Sequence, residues 1–444
     1  VKAKIASNCR HLILSLPFFQ LDKVGLVLFV FALLTVLLAE AQDRPAHWIH
    51  GLGDTSSVWR LYDPLFRGER RMNSNLVDYN TSFGVLISTR DASRVMPGDP
   101  NNYLIGHSMG GLVARQYEIN NPGDANAILT IGTPHEGAWI ANNILNGNAR
   151  NALIFAEKEL KAGPLYSGIT PGSILYPIFG MNLTFSLLAD LIFGNIADNL
   201  EETQVDSKRD LSVGSNYLAT LNSTTRTVAM ANIVCEENDR PGLRMAQAAR
   251  KNHNPEDASL HSYDDAVMIN LVEKLEIAYK VKRTYHEVLR FTNIFMYPYH
   301  NEAAKRWGRG EDYLDDKFDA EYNDLVGATR TETRSRTEWV QVCIGGDGCL
   351  DDMKRTTGIQ LCKPSLDPVN CEWVQRTVYY TVTISEPSDG LVTAGSQHYD
   401  AVPVDRVYRA IGANHLEAGN HPEVTGRIND VFDRRTDDLG ILVR

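Results

Sequence analysis

Residues 104 to 114 read LIGHSMGGLVA: a short apolar run meets Gly106, Ser108, Gly110 and Gly111 and leaves through a segment of helical spacing. A chain that passes from strand to helix within so few residues crowds its own backbone, and glycines relieve the crowding because they carry no Cβ. The feature predicts a βα unit, and βα units build parallel sheets with helices on their faces. The neighbouring segments agree. PAHWIHGLGD, NLVDYN and AILTIGTPHEG read as further short strands, SSVWRLYDPLF has large residues at helical spacing, and GLVARQYEINNP is a helix stopped at Pro122. Farther on, TVAMANIV, TVYYTVTI and DRVYRAIGA have the β-branched and aromatic content of strands, and HPEVTGRINDVFDR reads as a closing helix. The expected fold class is α/β, with a mostly parallel central sheet covered on both faces.

Two segments interrupt that alternation. Residues 138–221 are apolar, helical in spacing and broken by Gly and Pro, as a cap or as ordinary core helices would be. Residues 240–375 form a long insertion, polar and charged in its first half, that contains the amphipathic stretch YDDAVMINLVEKLEIAYKVKRTYHEVLRFTNIF. The expected organisation is a leader over 1–41, a core over 42–239 that holds the cap, the insertion over 240–375, and the remainder of the core over 376–444.

Near the start, Lys23 precedes an uninterrupted apolar run from Val24 to Leu38, and Ala39, Glu40 and Ala41 then give the small-x-small spacing of a signal cleavage site. The run is shorter than the roughly 20 residues that span a bilayer, which favours a cleaved secretory signal over an N-terminal membrane anchor. A secreted or periplasmic protein folds in an oxidising compartment. Cys343, Cys349, Cys362 and Cys371 cluster there without the close pairs or nearby His of a zinc site, so two disulfides are expected, with three pairings open. Cys9 falls in the leader, and Cys235 stands alone in an apolar run as a buried thiol. The net charge of -11 excludes a nucleic-acid partner, which would need clustered Lys and Arg. Any membrane contact would be transient and mainly apolar. Nothing in the sequence sets an oligomeric state.

The chemistry centres on Ser108. A serine hydroxyl becomes a useful nucleophile at neutral pH when an imidazole takes its proton and a carboxylate holds that imidazole in one tautomer. Ser108 occupies the centre of a Gly-x-Ser-x-Gly turn formed by Gly106, His107, Met109 and Gly110, which lifts its Oγ above the sheet edge. The negative charge that develops on an attacked carbonyl needs backbone N–H donors, and those of Met109 and of Leu52 in HGLGD are nominated. On this fold the acid and base follow the serine in chain order. Asp389 in SEPSDGLVT and His415 in GANHLEAGNH each sit in a turn after a predicted strand and are preferred over Glu386 and His421, which precede prolines. His135, His286 and His398 are expected at surface or structural positions.

The motifs HGLGD, GHSMGGLVAR, GTPHEGA, SDGLV and NHLE, in this order, resemble the signatures of secreted α/β-hydrolase lipases and esterases, including the lipase-like family that contains the GPI inositol deacylases. The resemblance covers residues 46 to about 140 and 376 to 425. It implies an α/β-hydrolase with Ser108, Asp389 and His415 as triad, Leu52 and Met109 as oxyanion donors, and hydrolysis of a lipid or other ester through an acyl-serine. An acyltransferase or an exported non-catalytic binding protein on the same fold are the alternatives. No cofactor and no metal are expected; Glu417 is a lone carboxylate where some bacterial lipases bind calcium. The chain departs from compact family members in the distance between Ser108 and Asp389, because the insertion lies between them.

Overall fold

Strands β1 (Pro45–Ile49), β3 (Tyr103–His107) and β4 (Ala127–Ile131) are buried at every residue. Burial on both faces is the mark of a parallel sheet covered by helices on each side. The computed structural model describes residues 45–68, 72–168, 204–225, 228–253, 267–343 and 371–433. Together with β2 (Asn73–Val77), β5 (Ala229–Glu236) and β8 (Val407–Ile411), those strands form one sheet in the order β2-β1-β3-β4-β5-β8, every neighbouring pair parallel. Successive side chains point to opposite faces. Ile49, Leu104 and Ile128 therefore pack on one side with Val85 of α2 (Val85–Ala92) and Leu112 and Val113 of α3 (Met109–Asn120). On the other side Trp48, Ile105 and Leu129 pack with Tyr62 and Phe66 of α1 (Tyr62–Gly68) and with Ile428 of the closing helix Pro422–Asp433. The fold is the expected α/β-hydrolase arrangement of a parallel sheet between helices.

The predicted strand TVYYTVTI does not join that sheet. It lies in β7 (Cys371–Ser385), which pairs antiparallel with β6 (Thr329–Cys343) as a separate two-stranded ribbon. Most of the ribbon's described side chains are exposed, so its β-branched content reflects strand propensity without core burial. The register sets Cys343 opposite Cys371.

Between β4 and β5 the chain forms α4 (Trp139–Leu145), α5 (Asn148–Tyr166), α6 (Val205–Asp210) and α7 (Asn216–Ser223). After β5 come α8 (Pro241–His253), α9 (Val267–Thr292), α10 (Tyr297–Asp312) and α11 (Phe318–Val326). Ala156 and Leu160 of α5 share one apolar cluster with Leu275 and Tyr279 of α9 and Trp307 of α10. The Tyr279 hydroxyl donates to the Leu160 carbonyl at 2.5 Å, which joins the two stretches. The expected leader, the second half of the apolar stretch at 169–203, and Cys349 and Cys362 lie outside the described residues. Among the described residues no helix is long and apolar enough to cross a membrane.

Candidate active site

β1 has β2 on one side and β3 on the other, so the loops leaving β1 and β3 diverge and open a crevice at the C-terminal edge of the sheet. Ser108 stands at that edge, directly after β3, with φ 54° and ψ −128°. A residue with a Cβ avoids this conformation, at a cost of about 1–3 kcal/mol. The surroundings hold it there. The Ser108 N–H donates to the Ile131 carbonyl at 2.9 Å, and a Cβ on Gly106 would stand 2.5 Å from the Gly110 carbonyl carbon. Gly110 in turn lies against the end of β1, where a Cβ would be 2.5 Å from the His50 carbonyl oxygen.

His415 reaches Ser108 from the loop after β8. The Ser108 hydroxyl donates to His415 Nε2 at 2.8 Å, and His415 Nδ1–H donates to Asp389 Oδ2 at 2.7 Å. Asp389 is fully buried, and its other oxygen accepts from the Leu391 and Val392 N–H groups at 3.0 and 2.8 Å. Both carboxylate oxygens are thus engaged, which fixes the plane of the group and, through Oδ2, the ring and tautomer of His415. The His415 N–H also donates to the Asp389 carbonyl at 2.7 Å. Gly132 clears the space beneath: at φ 57°, its absent Cβ would lie 3.2 Å from Asp389 Oδ2 and 3.5 Å from His415 Nδ1.

The long separation between Ser108 and Asp389 closes in space. The Glu237 N–H, just past β5, donates to the Ser388 carbonyl at 2.8 Å, so the excursion from 238 to 387 leaves and rejoins the chain at one point. Asp389 is therefore carried at the C-terminal end of β5, a central strand, and not by the ribbon strand that precedes it in sequence. Tyr322 of α11 adds a clamp from within the excursion, its hydroxyl donating to the Gly390 carbonyl at 2.7 Å.

The nominated oxyanion donors flank the serine. Met109 is the first residue of α3, where the N–H has no acceptor within the helix, and the positive end of the helix dipole adds to it. Leu52 follows Gly51, whose absent Cβ would be 2.9 Å from Ser108 Cβ, so this loop lies against the nucleophile. His50 secures the loop: its Nδ1–H donates to the Gly51 carbonyl at 3.0 Å, its carbonyl accepts from the Tyr79 hydroxyl at 2.5 Å, and its ring stacks on Tyr79. Burial lowers the His50 imidazole below its ordinary range, which keeps it neutral.

His107, expected to fill a tolerant position, is buried with its ring centre 4.9 Å from that of His415 and 6.3 Å from that of Trp59. Burial, and then the neighbouring His415, push it well below the usual imidazole range. A neutral His107 leaves a positive charge on His415 unopposed. Asp54, within HGLGD, is raised by burial, and the Thr55 N–H, then His50 and His415, counter part of that rise. The competitors are engaged elsewhere. Glu386 pairs with Arg330, and His421 Nδ1 accepts from the Glu423 N–H at 3.3 Å at the start of the last helix. His135 is buried and bonded to Arg115 and Thr130, and His286 is buried against His300, both structural rather than surface positions. His398 lies 3.6 Å from Asp400. Glu417 accepts from Asn414 Nδ2, and among the described residues no group of three or more His, Cys, Asp or Glu could hold a metal.

Residues 95–161 match the family model described as PGAP1-like alpha/beta domain. The comparison with curated proteins gives no match. Among solved structures the chain is similar to an extracellular α/β-hydrolase from a Paenibacillus species, at 14% identity over 43% of this chain and 76% of that one, with a TM-score of 0.25. It is also similar to the Bacillus licheniformis lipase BlEst2, at 14% identity over 48% and 74%, with a TM-score of 0.28. For the phospholipase PlaB from Legionella pneumophila the identity is 13% over 45% of this chain and only 40% of that one, with a TM-score of 0.28. The family match falls on the stretch that holds Ser108 and agrees with the lipase-like resemblance of the five motifs.

Proposed function

We propose that this α/β-hydrolase cleaves carboxylic esters through an acyl-serine, with lipid acyl esters as the substrate class. The observation that carries the reading is the unbroken chain of bonds from Ser108 Oγ to His415 at 2.8 Å and on to Asp389 at 2.7 Å. His415 Nε2 accepts the Ser108 proton as Oγ attacks the ester carbonyl, and Asp389 stabilises the imidazolium that forms. The oxyanion rests against the Leu52 and Met109 N–H groups, each worth about 3 kcal/mol in enzymes of this kind. The imidazolium then gives its proton to the leaving alcohol oxygen, and water, deprotonated by the same ring, releases the acid. A fluorophosphonate probe tests the reading: the intact protein should be labelled at Ser108, and Ser108→Ala should abolish labelling. An unlabelled intact protein that is folded would favour a non-catalytic binding protein.

Export completes the proposal, supported by the apolar run from Val24 to Leu38 and the cysteine cluster. The ribbon register favours one pairing, Cys343 with Cys371, which leaves Cys349 with Cys362 inside the loop they close. An isolated two-stranded ribbon is marginal in water, and a cross-link at its far end would limit fraying. Mass mapping of a non-reducing digest of the exported protein should recover a peptide joining Cys343 to Cys371. Recovery of either residue bonded to Cys349 or Cys362 would refute the pairing.

A further inference from the structure

Helices α9 and α10 form a hairpin whose outer face lacks the polar character of a solvated helix. Ile277, Val281, Tyr285, Val288 and Phe291 are 59%, 60%, 54%, 55% and 71% exposed. At 100° per residue they fall on one stripe about 120° wide. The stripe runs into the turn between the helices, where Ile294 is 80% and Phe295 97% exposed. From Ile277 to Pro298 Lys280 is the only charged residue as exposed as the stripe, while the side chains of Arg283 and Glu287 are 39% and 38% exposed and paired with each other. The opposite face of α9 is fully used: Leu275 and Tyr279 pack against Trp307 in the core shared with α5.

The charges beside the stripe bear on what it would meet. Between Ile277 and Arg306 lie Lys280, Lys282, Arg283, Arg290, Lys305 and Arg306 against Glu287 and Glu302; Arg283 pairs with Glu287, Glu311 and Asp312 and Arg306 with Glu302, so Lys280, Lys282, Arg290 and Lys305 are the cations of the margin outside those pairs. Two of these cations lie over stripe aromatics, Lys282 over Tyr285 at 5.9 Å and Arg290 over Phe291 at 4.7 Å. Aromatic and aliphatic side chains outward with basic side chains along the margin is the composition of a surface that settles into the headgroup boundary of an anionic bilayer. The exposure agrees, because Phe295, 97% exposed in the turn between the helices, can enter a lipid surface without a complementary groove.

We infer that the α9–α10 hairpin is a membrane-docking element that seats residues 285–297 in an anionic lipid surface. The inference is independent of the ester-hydrolase reading, since docking needs no turnover, and it is tested with the Ser108→Ala protein. Amide hydrogen exchange is measured on the full chain with phosphatidylserine-containing vesicles, with phosphatidylcholine vesicles, and without lipid, so that the hairpin is read separately from residues 24–38. Amides of 288–297 should slow by on the order of tenfold or more on anionic vesicles and less on neutral ones. The protection should vanish in Phe291→Ser/Phe295→Ser, whose exposed positions leave the melting temperature unchanged. Vesicle-bound protein with no slowing at 288–297 would overturn the inference. So would slowing that rises with protein concentration in the absence of lipid, which would assign the face to a second copy of the chain.

Discussion

Ser108→Gly should lose activity as completely as Ser108→Ala and yet be the more stable of the two. Either change removes the nucleophile, and in serine enzymes that act through such a triad the loss in kcat is on the order of 10⁶-fold. The stability difference isolates the backbone, because neither variant has a hydroxyl to bond to His415. At an ordinary position Ala exceeds Gly by about 0.4–1 kcal/mol, through the smaller entropy of its unfolded chain. At φ 54° and ψ −128° the order reverses. Alanine keeps a Cβ in a region that only glycine occupies freely, with a strain of about 1–3 kcal/mol. Urea denaturation of both variants should place Gly above Ala by about 1 kcal/mol. An alanine variant at least as stable as the glycine one would mean that the turn relaxes when the hydroxyl leaves. A Ser108→Ala protein within tenfold of wild-type turnover on a p-nitrophenyl ester would mean that another group is the nucleophile.

How far the sequence discloses this site depends on the range of the interactions that build it. Gly106 and Ser108 are legible because the elbow is local: Gly110 and Gly111 of the same turn crowd Gly106, although Gly110 itself is crowded from β1. His415 is legible for a related reason, since the strand before it, β8, does join the parallel sheet, as the edge strand beside β5. Asp389 is placed by a contact the sequence does not announce, the bond from Glu237 to Ser388 that returns the excursion to the end of β5. The strand before it is legible as a strand but not as a ribbon strand paired with β6, because β-branched content reports strand propensity and not the partner. His107 and Tyr322 escape for the same reason. One acts by lying against His415 and the other by bonding to Gly390, and both contacts join residues far apart in sequence. The stripe on α9 was visible as amphipathicity, but which face is buried depends on α5 and α10.

Gly110→Ala should be severely damaging although it adds only one methyl group. Gly110 is the second residue of α3, and alanine is the better helix former by about 1 kcal/mol, so propensity alone predicts a gain. Packing decides otherwise. The added Cβ would overlap the Ile49 carbonyl and stand 2.5 Å from the His50 oxygen, and these are backbone atoms of the last residue of β1, which β2 and β3 fix on each side, and of the residue directly after it. No rotamer change relieves such a contact, so β1 and α3 must separate, at a cost of about 3 kcal/mol or more. Gly426→Ala is the control: it lies in the closing helix with nothing within 4 Å of the new methyl, and should stabilise by about 0.5–1 kcal/mol. Whatever fraction of Gly110→Ala folds should also be slow, because the displaced carbonyls lead directly into Gly51 and Leu52. Its kcat should then fall more than its ester KM rises, the pattern of a donor lost in the transition state. A variant that melts with the wild type and turns over normally would show that β1 does not press on the elbow, and the oxyanion assignment to Leu52 would go with it.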